Sequence, residues 1–226
     1  RVLGWTICWA VFATFLCNFL GLILAIVISR KETHCKAFWR TCFVISIAVP
    51  QFVSLLVMRQ MFQPQGAVNN LLLEWGWIDN PLPFWTNTMW ARVSVILINC
   101  WVGIPYTMLQ VTGVLQNVPS ELYEAAKIDG ANRWQQFWHI TLPQLRPTTF
   151  FVVIMLTISG FKVYDQMYMI TQGGPGTATM TLVYYIYNVA FVNTPKYGYA
   201  SAISMVLFVL VLIVTIIQFR GSKGEN

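Results

Sequence analysis

Residues 2–29 are almost wholly apolar and carry no formal charge. A bilayer crossing needs about 20 such residues, so this one run commits the chain to a membrane. It is apolar on every side, as a helix facing lipid or other spans should be. Composition agrees. Of 226 residues, 57% are hydrophobic and 10% are charged, with a mean hydropathy of +0.60. A soluble domain carries about 25% charged residues, and a large soluble domain with an oily core is excluded. The net charge of +6 is no sign of nucleic acid here; how charge is spread over the loops matters more.

Four further spans follow. The second covers residues 41–58, with Arg40 and Arg59 at its ends to snorkel toward headgroups. Pro50 in its middle predicts a kink whose freed backbone groups need a neighbour or water. Residues 60–91 hold Glu74 and Asp79 but no Lys or Arg, and Trp75, Trp77, Trp85 and Trp90 predict a loop that hugs an interface. The third span, 93–118, contains Pro105. The fourth, 148–170, carries Lys162 and Asp165. Residues 171–197 open with the turn sequence GGPG, and the piece 180–192 is too short to cross, which predicts an interfacial or re-entrant helix. The fifth span is 198–219, followed by a polar tail. The expected fold class is all-α, a polytopic helical membrane protein of about five transmembrane helices in one domain over residues 1–226. Because the chain starts at Arg1 directly ahead of a span, a further transmembrane segment is expected upstream.

Five spans force the loops onto alternate sides. Arg30, Lys31, Lys36, Arg40, Lys127, Arg133, Arg146, Arg220 and Lys223, nine of the 14 basic residues, then share one side. The positive-inside rule makes that side the cytoplasm. The loop of residues 119–147 is therefore expected to be cytoplasmic, together with the C-terminus.

Within that loop, residues 121–143 form the longest reasonably polar run in the chain. Ser120 is placed to N-cap a first helix with Glu121 and Glu124 in its first turn, where carboxylates suit the helix dipole. Gly130 is a natural stop. Asn132 followed by Gln135 matches a capping box that starts a second helix, and Pro143 and Pro147 are expected to break the chain before the next span. Leu122, Ala125 and Ala126 follow helical spacing and form a narrow apolar stripe, with Glu121 and Glu124 as charge partners at its rim. Trp134, Phe137 and Trp138 recur at the same spacing and are expected to pack against the chain's own bundle. A capped helix pair between spans suggests a docking surface; a capped surface loop with no partner is the plainer reading.

Glu124-Ala125-Ala126, three residues, Gly130, nine residues, then Ile140-Thr141-Leu142-Pro143 resembles the EAA loop of ABC importer permeases at every anchor. The surrounding words VPSELYEAAKIDGA, ITQGGPGTATMTLVYYIYNVAF and GYASAIS are similar to the sugar-type, maltose-permease-like subfamily, and the resemblance covers nearly the whole chain. It implies a type I importer permease-like fold in a prokaryotic cell membrane. In that fold Glu121, Glu124, Ala125, Ala126, Gly130, Ile140, Leu142 and Pro143 would form the loop that docks an ATPase. It implies two ATP-binding partner subunits carrying ATP and Mg, a second homologous permease subunit, and an extracytoplasmic solute-binding protein. The solute implied is a sugar, oligosaccharide or glycerol-phosphate-like molecule, moved by alternating access. No cofactor is expected on this chain.

The candidate substrate surface lies on the third span. Asn99, Gly103, Tyr106, Gln110 and Gly113 fall on one face of a helix, and a polar stripe in a bilayer faces the bundle interior or a water-filled path. Gly103 would leave room for a ligand, and Tyr106 offers a ring and a hydroxyl. The resemblance places substrate contacts at Asn99, Gly103 and Tyr106. Close helix packing through glycine, with an interhelical hydrogen bond from Asn99, accounts for the same stripe. In the fourth span Lys162 and Asp165 are spaced to pair, with Gly160 opening space beside them. They either line a translocation path or form a structural salt bridge.

Other functions find little support. No G-x-x-x-x-G-K-[ST] pattern occurs, so this chain cannot hydrolyse nucleotide itself, and the GGPG sequence is a turn. His34 and His139 have no metal-ligand spacing, and the five cysteines have no CxxC pair, so reduced structural thiols are expected and no metal site. A secondary transporter coupled through Lys162 and Asp165 leaves the EAA spacing unexplained. A membrane-embedded enzyme lacks any catalytic cluster, and no catalytic residue is assigned.

Overall fold

The computed structural model describes residues 1–30, 33–192 and 194–223, and among them every regular element is helical. Helix α1 runs Val2–Ser29, α2 Lys36–Ala48, α3 Gln51–Met61, α4 Ala67–Glu74 and α5 Thr88–Asn117. Then come α6 Ser120–Ile128, α7 Arg133–Gln136, a π turn Phe137–Thr141 and α8 Leu142–Phe161. A second π turn, Met167–Thr171, precedes α9 Leu182–Tyr187, a third covers Asn188–Val192, and α10 is Tyr197–Lys223. Among the described residues, four helical stretches are long and apolar enough to cross a membrane, five if α2 and α3 count as one broken crossing.

The structure departs from the sequence reading at three proline or loop positions. The second span is two helices: Pro50 leaves helical geometry with ψ 126° and sits at the N-cap of α3. Its missing N–H and ring end α2, and it also pushes Val49 away from the α region. Conversely, Pro143 and Pro147 break nothing, because α7, the π turn and α8 run on as one helical stretch, Arg133–Phe161. The carbonyl that the Pro143 ring would strike belongs to His139, inside the π turn, where the widened geometry moves it aside. The fourth span also ends earlier than expected. α8 ends at Phe161 and the chain is non-helical at Val163 and Tyr164.

The chain divides into two compact units. One holds Arg1–Thr14, Val49–Trp101 and the chain from Leu156 on; the other holds Phe15–Ala48 and Val102–Met155. In the first, Trp5, Trp9 and Ala13 of α1 pack with Leu55, Val95, Ile98, Met167, Ile170 and Tyr184. Polar ties fasten this core. The Arg92 guanidinium lies 4.7 Å from the Trp5 ring centroid, and its Nε donates to the Ala178 carbonyl at 2.9 Å. Thr6 Oγ1 accepts from Leu182 N at 3.0 Å. Buried Asn69, in the segment expected to be loop, donates to the carbonyls of Gln63 and Leu82 and accepts from Leu82 N at 2.8 Å. Those three bonds explain how α4 is held. In the same unit Gly160 meets Ala10: a Cβ on it would lie 3.2 Å from Ala10 Cα.

In the second unit Ala25 and Ile28 of α1 pack with Met108, Val111 and Leu145. Small residues allow the close approach of α1 and α5 there, as in other membrane helix pairs. A Cβ on Gly21 would come 2.5 Å from Thr107 Cβ, and one on Gly103 would come 2.7 Å from Cys17 Sγ.

Candidate functional site

The loop between α5 and α8 is a braced arm. α6 starts at Ser120, with Pro119 as its N-cap and no side-chain cap bond. Ser120 thus serves as the first helical residue and not as the cap; proline's set φ pre-organises the entry. At the other end Asp129 and Gly130 stop the helix, with Gly130 at φ +80°. A Cβ on Gly130 would meet nothing within 4 Å, so its requirement is purely one of backbone conformation. The capping box forms as expected. Gln135 N donates to Asn132 Oδ1 at 2.9 Å, and Asn132 N donates to Gln135 Oε1 at 2.8 Å. A brace that the sequence reading missed then ties the two helices: Tyr123 Oη and Thr141 Oγ1 share a 3.0 Å hydrogen bond.

That brace decides which face of α6 is free. Tyr123 and Ala126 turn inward and are half-buried, whereas Glu121, Leu122, Glu124, Ala125 and Ile128 are exposed. The outward face is therefore Glu121, Glu124, Ala125 and Ile128 at helical spacing, flanked by Leu122, and Ala126 belongs to the inner side. Ile128 is 88% exposed, an apolar side chain at the C-terminal end of α6 and unnoticed in the sequence. Its signal was there: it completes the i, i+3, i+4, i+7 series from Glu121.

The inner side of α6 and the start of the next helix enclose a cleft of about 290 Å³, lined by Ala126, Asp129, Gly130, Ala131, Gln135, Gln136, His139 and Ile140. Leu142 is half-buried and Pro143 exposed at the start of α8. The aromatic trio corrects a further expectation. Trp134, Phe137 and Trp138 stack on one another with centroids 5.5–5.9 Å apart. The two tryptophans do not bury themselves in the chain's own bundle: Trp134 is 68% exposed and Trp138 is exposed as well, while Phe137 is half-buried.

The proposed substrate stripe on α5 separates into two kinds of residue. Gly103 is occupied by packing against Cys17 and leaves no ligand space there. Tyr106, by contrast, is 48% exposed, and Gln110 and Gly113 are exposed too. Asn99 Oδ1 accepts from Gln166 Nε2 at 2.9 Å, a buried polar partner that sequence reading missed, although a glutamine so close to an apolar span is itself a signal. Lys162 and Asp165 are exposed, and no ion pair joins them. Their three-residue spacing pairs side chains only on a continuous helix, and α8 has already ended at Phe161. Gly160 opens no space beside them, since it is the contact point with Ala10. None of the five cysteines is in a disulfide. Among the described residues no group of three His, Cys, Asp or Glu could hold a metal ion.

The chain is similar to known proteins over most of its length. Residues 17–221 match the family described as binding-protein-dependent transport system inner membrane component. The chain is 36% identical over 230 residues to the galactooligosaccharides transport system permease protein GanP of Bacillus subtilis (strain 168), covering 99% of this chain and 54% of that protein. It is 33% identical over 209 residues to the lactose transport system permease protein LacF of Rhizobium radiobacter, covering 92% and 70%. Its fold is similar to that of a bacterial ABC transporter involved in the import of the acidic polysaccharide alginate, with a TM-score of 0.89 at 21% identity over 100% of this chain and 79% of that one. The chain spans about half the length of the first two curated relatives that it matches.

Proposed function

The chain belongs to the inner membrane components of binding-protein-dependent transport systems, and from that premise we propose that it is the permease subunit of an ATP-driven importer for a neutral saccharide. It is a multi-pass membrane protein of a transport family, not of an enzyme family. Energy for uphill import has to reach it from another chain, since no nucleotide-binding pattern is present. The observation that carries the reading is the outward face of α6, where Glu121, Glu124, Ala125 and Ile128 stand exposed on a helix held from behind by Tyr123. A rigid helix with an apolar tip and a charged rim suits insertion into a groove on a partner.

In this reading two ATPase subunits carrying ATP and Mg seat α6 on the cytoplasmic side, the side that the basic loop residues favour. A second permease half completes the pathway, and an extracytoplasmic binding protein delivers the solute. On α5, Tyr106 and Gln110 are the exposed polar residues of the stripe that would line the path. The saccharide class follows the names of relatives that transport galactooligosaccharides, lactose and maltodextrin. The reading without an ATPase, coupling through a Lys162–Asp165 pair, loses its basis because that pair does not form.

The test is reconstitution with both permease halves, the ATPase subunits and the binding protein in proteoliposomes. ATP-dependent uptake of galactotriose or maltotriose is expected. Glu124→Arg or Ile128→Asp should abolish co-purification of the ATPase while membrane insertion is unchanged. Normal co-purification of both variants would sink the docking reading, and ATP hydrolysis with no uptake of any saccharide would sink the solute class.

A further inference from the structure

Resting on that docking reading, we propose that the cleft behind α6 is the receptor for one cationic side chain of the ATPase subunit, an arginine, with Asp129 as its charge partner. This separates a recognition pocket from the exposed face of α6 that enters the partner's groove. The cleft's volume of about 290 Å³ is just below the range of about 300–1,000 Å³ typical of small-molecule sites. It has room for a single long side chain.

The cleft's chemistry selects the occupant. Asp129 is the one lining residue with a formal charge among the described residues, and it is exposed at the C-terminal end of α6. The negative end of the helix dipole adds to its carboxylate. Two of the neighbouring polar side chains, Gln136 and His139, each have a ring or amide nitrogen tied to a backbone carbonyl. Gln136 Nε2 donates to the Ala131 carbonyl at 2.9 Å, which orients Gln136 Oε1 as an acceptor. His139 Nδ1 is 2.9 Å from the Gln135 carbonyl. A carbonyl can only accept, so Nδ1 is the donor in this contact. Ala126, Gly130, Ala131 and Ile140 supply small or apolar walls, which suit the methylene stem of a long cation. A carboxylate and the Gln136 amide oxygen at one opening match a guanidinium, whose five N–H donors are arranged in a planar fork. A lysine ammonium is a point charge without that bidentate geometry.

The side chain of Asp129 is dispensable for folding in this account. The α6 C-cap is made by backbone N–H groups, Asp129 N donating to the Ala125 carbonyl at 3.0 Å and Gly130 N to the Lys127 carbonyl at 3.1 Å. Asp129→Asn therefore keeps the arm and removes the charge. The experiment uses the complete transporter in nanodiscs, with ATPase association measured as a dissociation constant. Asp129→Asn should weaken association roughly 30-fold, the loss typical when a desolvated charge pair is halved, with Asp129→Glu close to wild type. Asp129→Arg should be rescued by one Arg→Glu substitution in a scan of the ATPase surface, and that rescue identifies the partner residue. Wild-type affinity of Asp129→Asn, while Ile128→Asp still abolishes association, overturns the pocket and leaves the docking reading standing. Wild-type affinity of both variants removes the docking reading itself. A thermal midpoint of Asp129→Asn below wild type, with affinity restored by no reversal in the scan, assigns Asp129 to the fold and overturns the proposal.

Discussion

Gly103 separates helix packing from solute binding, and one substitution pair can decide between them. A methyl on Gly103 would lie 2.7 Å from Cys17 Sγ and 3.4 Å from Cys17 Cβ. Nonbonded carbon atoms rest about 3.5–4.0 Å apart, and sulfur needs no less, so Gly103→Ala overlaps by roughly 1 Å with a buried thiol. Overpacking of this kind costs about 1–3 kcal/mol, offset by up to about 1 kcal/mol because alanine favours helix over glycine. A net loss of about 1–2 kcal/mol is expected, or about 2–8 °C in thermal midpoint for a chain of this size. Cys17→Ala removes the sulfur and leaves the 3.4 Å contact, which is ordinary packing. The double mutant should recover most of the loss, with an interaction energy of about 1–2 kcal/mol. The assay is thermal unfolding of the purified permease assembly in nanodiscs, alongside ATP-driven saccharide uptake. Additive single effects would refute the packing account. A double mutant that regains stability but not uptake would return Gly103 to the solute path.

Three further outcomes are expected. Gly130→Ala should cost about 1–2 kcal/mol through its φ of +80° alone, with Gly130→Asn costing less; equal losses in thermal unfolding would contradict a purely conformational requirement. Asn69→Leu removes three hydrogen bonds from a fully buried position, for a loss of about 2–4 kcal/mol, and limited proteolysis should open the segment between α3 and α5. Gln218 Nε2 donates to Thr157 Oγ1 at 2.8 Å while Gln218 Oε1 is buried without a partner. Gln218→Leu should therefore be nearly neutral, within about 1 kcal/mol, and Thr157→Val should cost more because it strands the amide; the reverse order of midpoints would count against this.

What could be read from the sequence was whatever depends on short range. The 28 residues of α1 are bounded as their charge-free run predicts. The Asn132–Gln135 capping box and the stop at Gly130 depend on a few consecutive residues, and both form. What could not be read depends on a partner distant in sequence or on a change of helix type. Tyr123 is an ordinary helical residue until Thr141 is brought beside it, and only then does the outward face of α6 shift to include Ile128. Pro143 reads as a breaker until a π turn precedes it. Lys162 and Asp165 read as a pair only while the helix is assumed to continue. The family itself was legible, because EAA, Gly130 and the ITLP sequence keep their spacing through all of these local departures.

The π turn at Phe137–Thr141 has a consequence for how the arm is aimed. An α-helix advances about 100° per residue, and a π turn holds one residue more than an α turn. Deleting any one residue within it would restore regular geometry without unwinding the helix. Everything beyond would then sit about 100° out of phase with everything before it. Leu145, fully buried against Ala25, Met108 and Val111, would point elsewhere. If packing held Leu145 in place, the rotation would fall on the arm, and α6 would face a new heading with every side chain intact. The azimuth at which this chain offers Ile128 is thus set by a residue count, five, in a turn that begins only at Phe137, well beyond Ile128 in the chain.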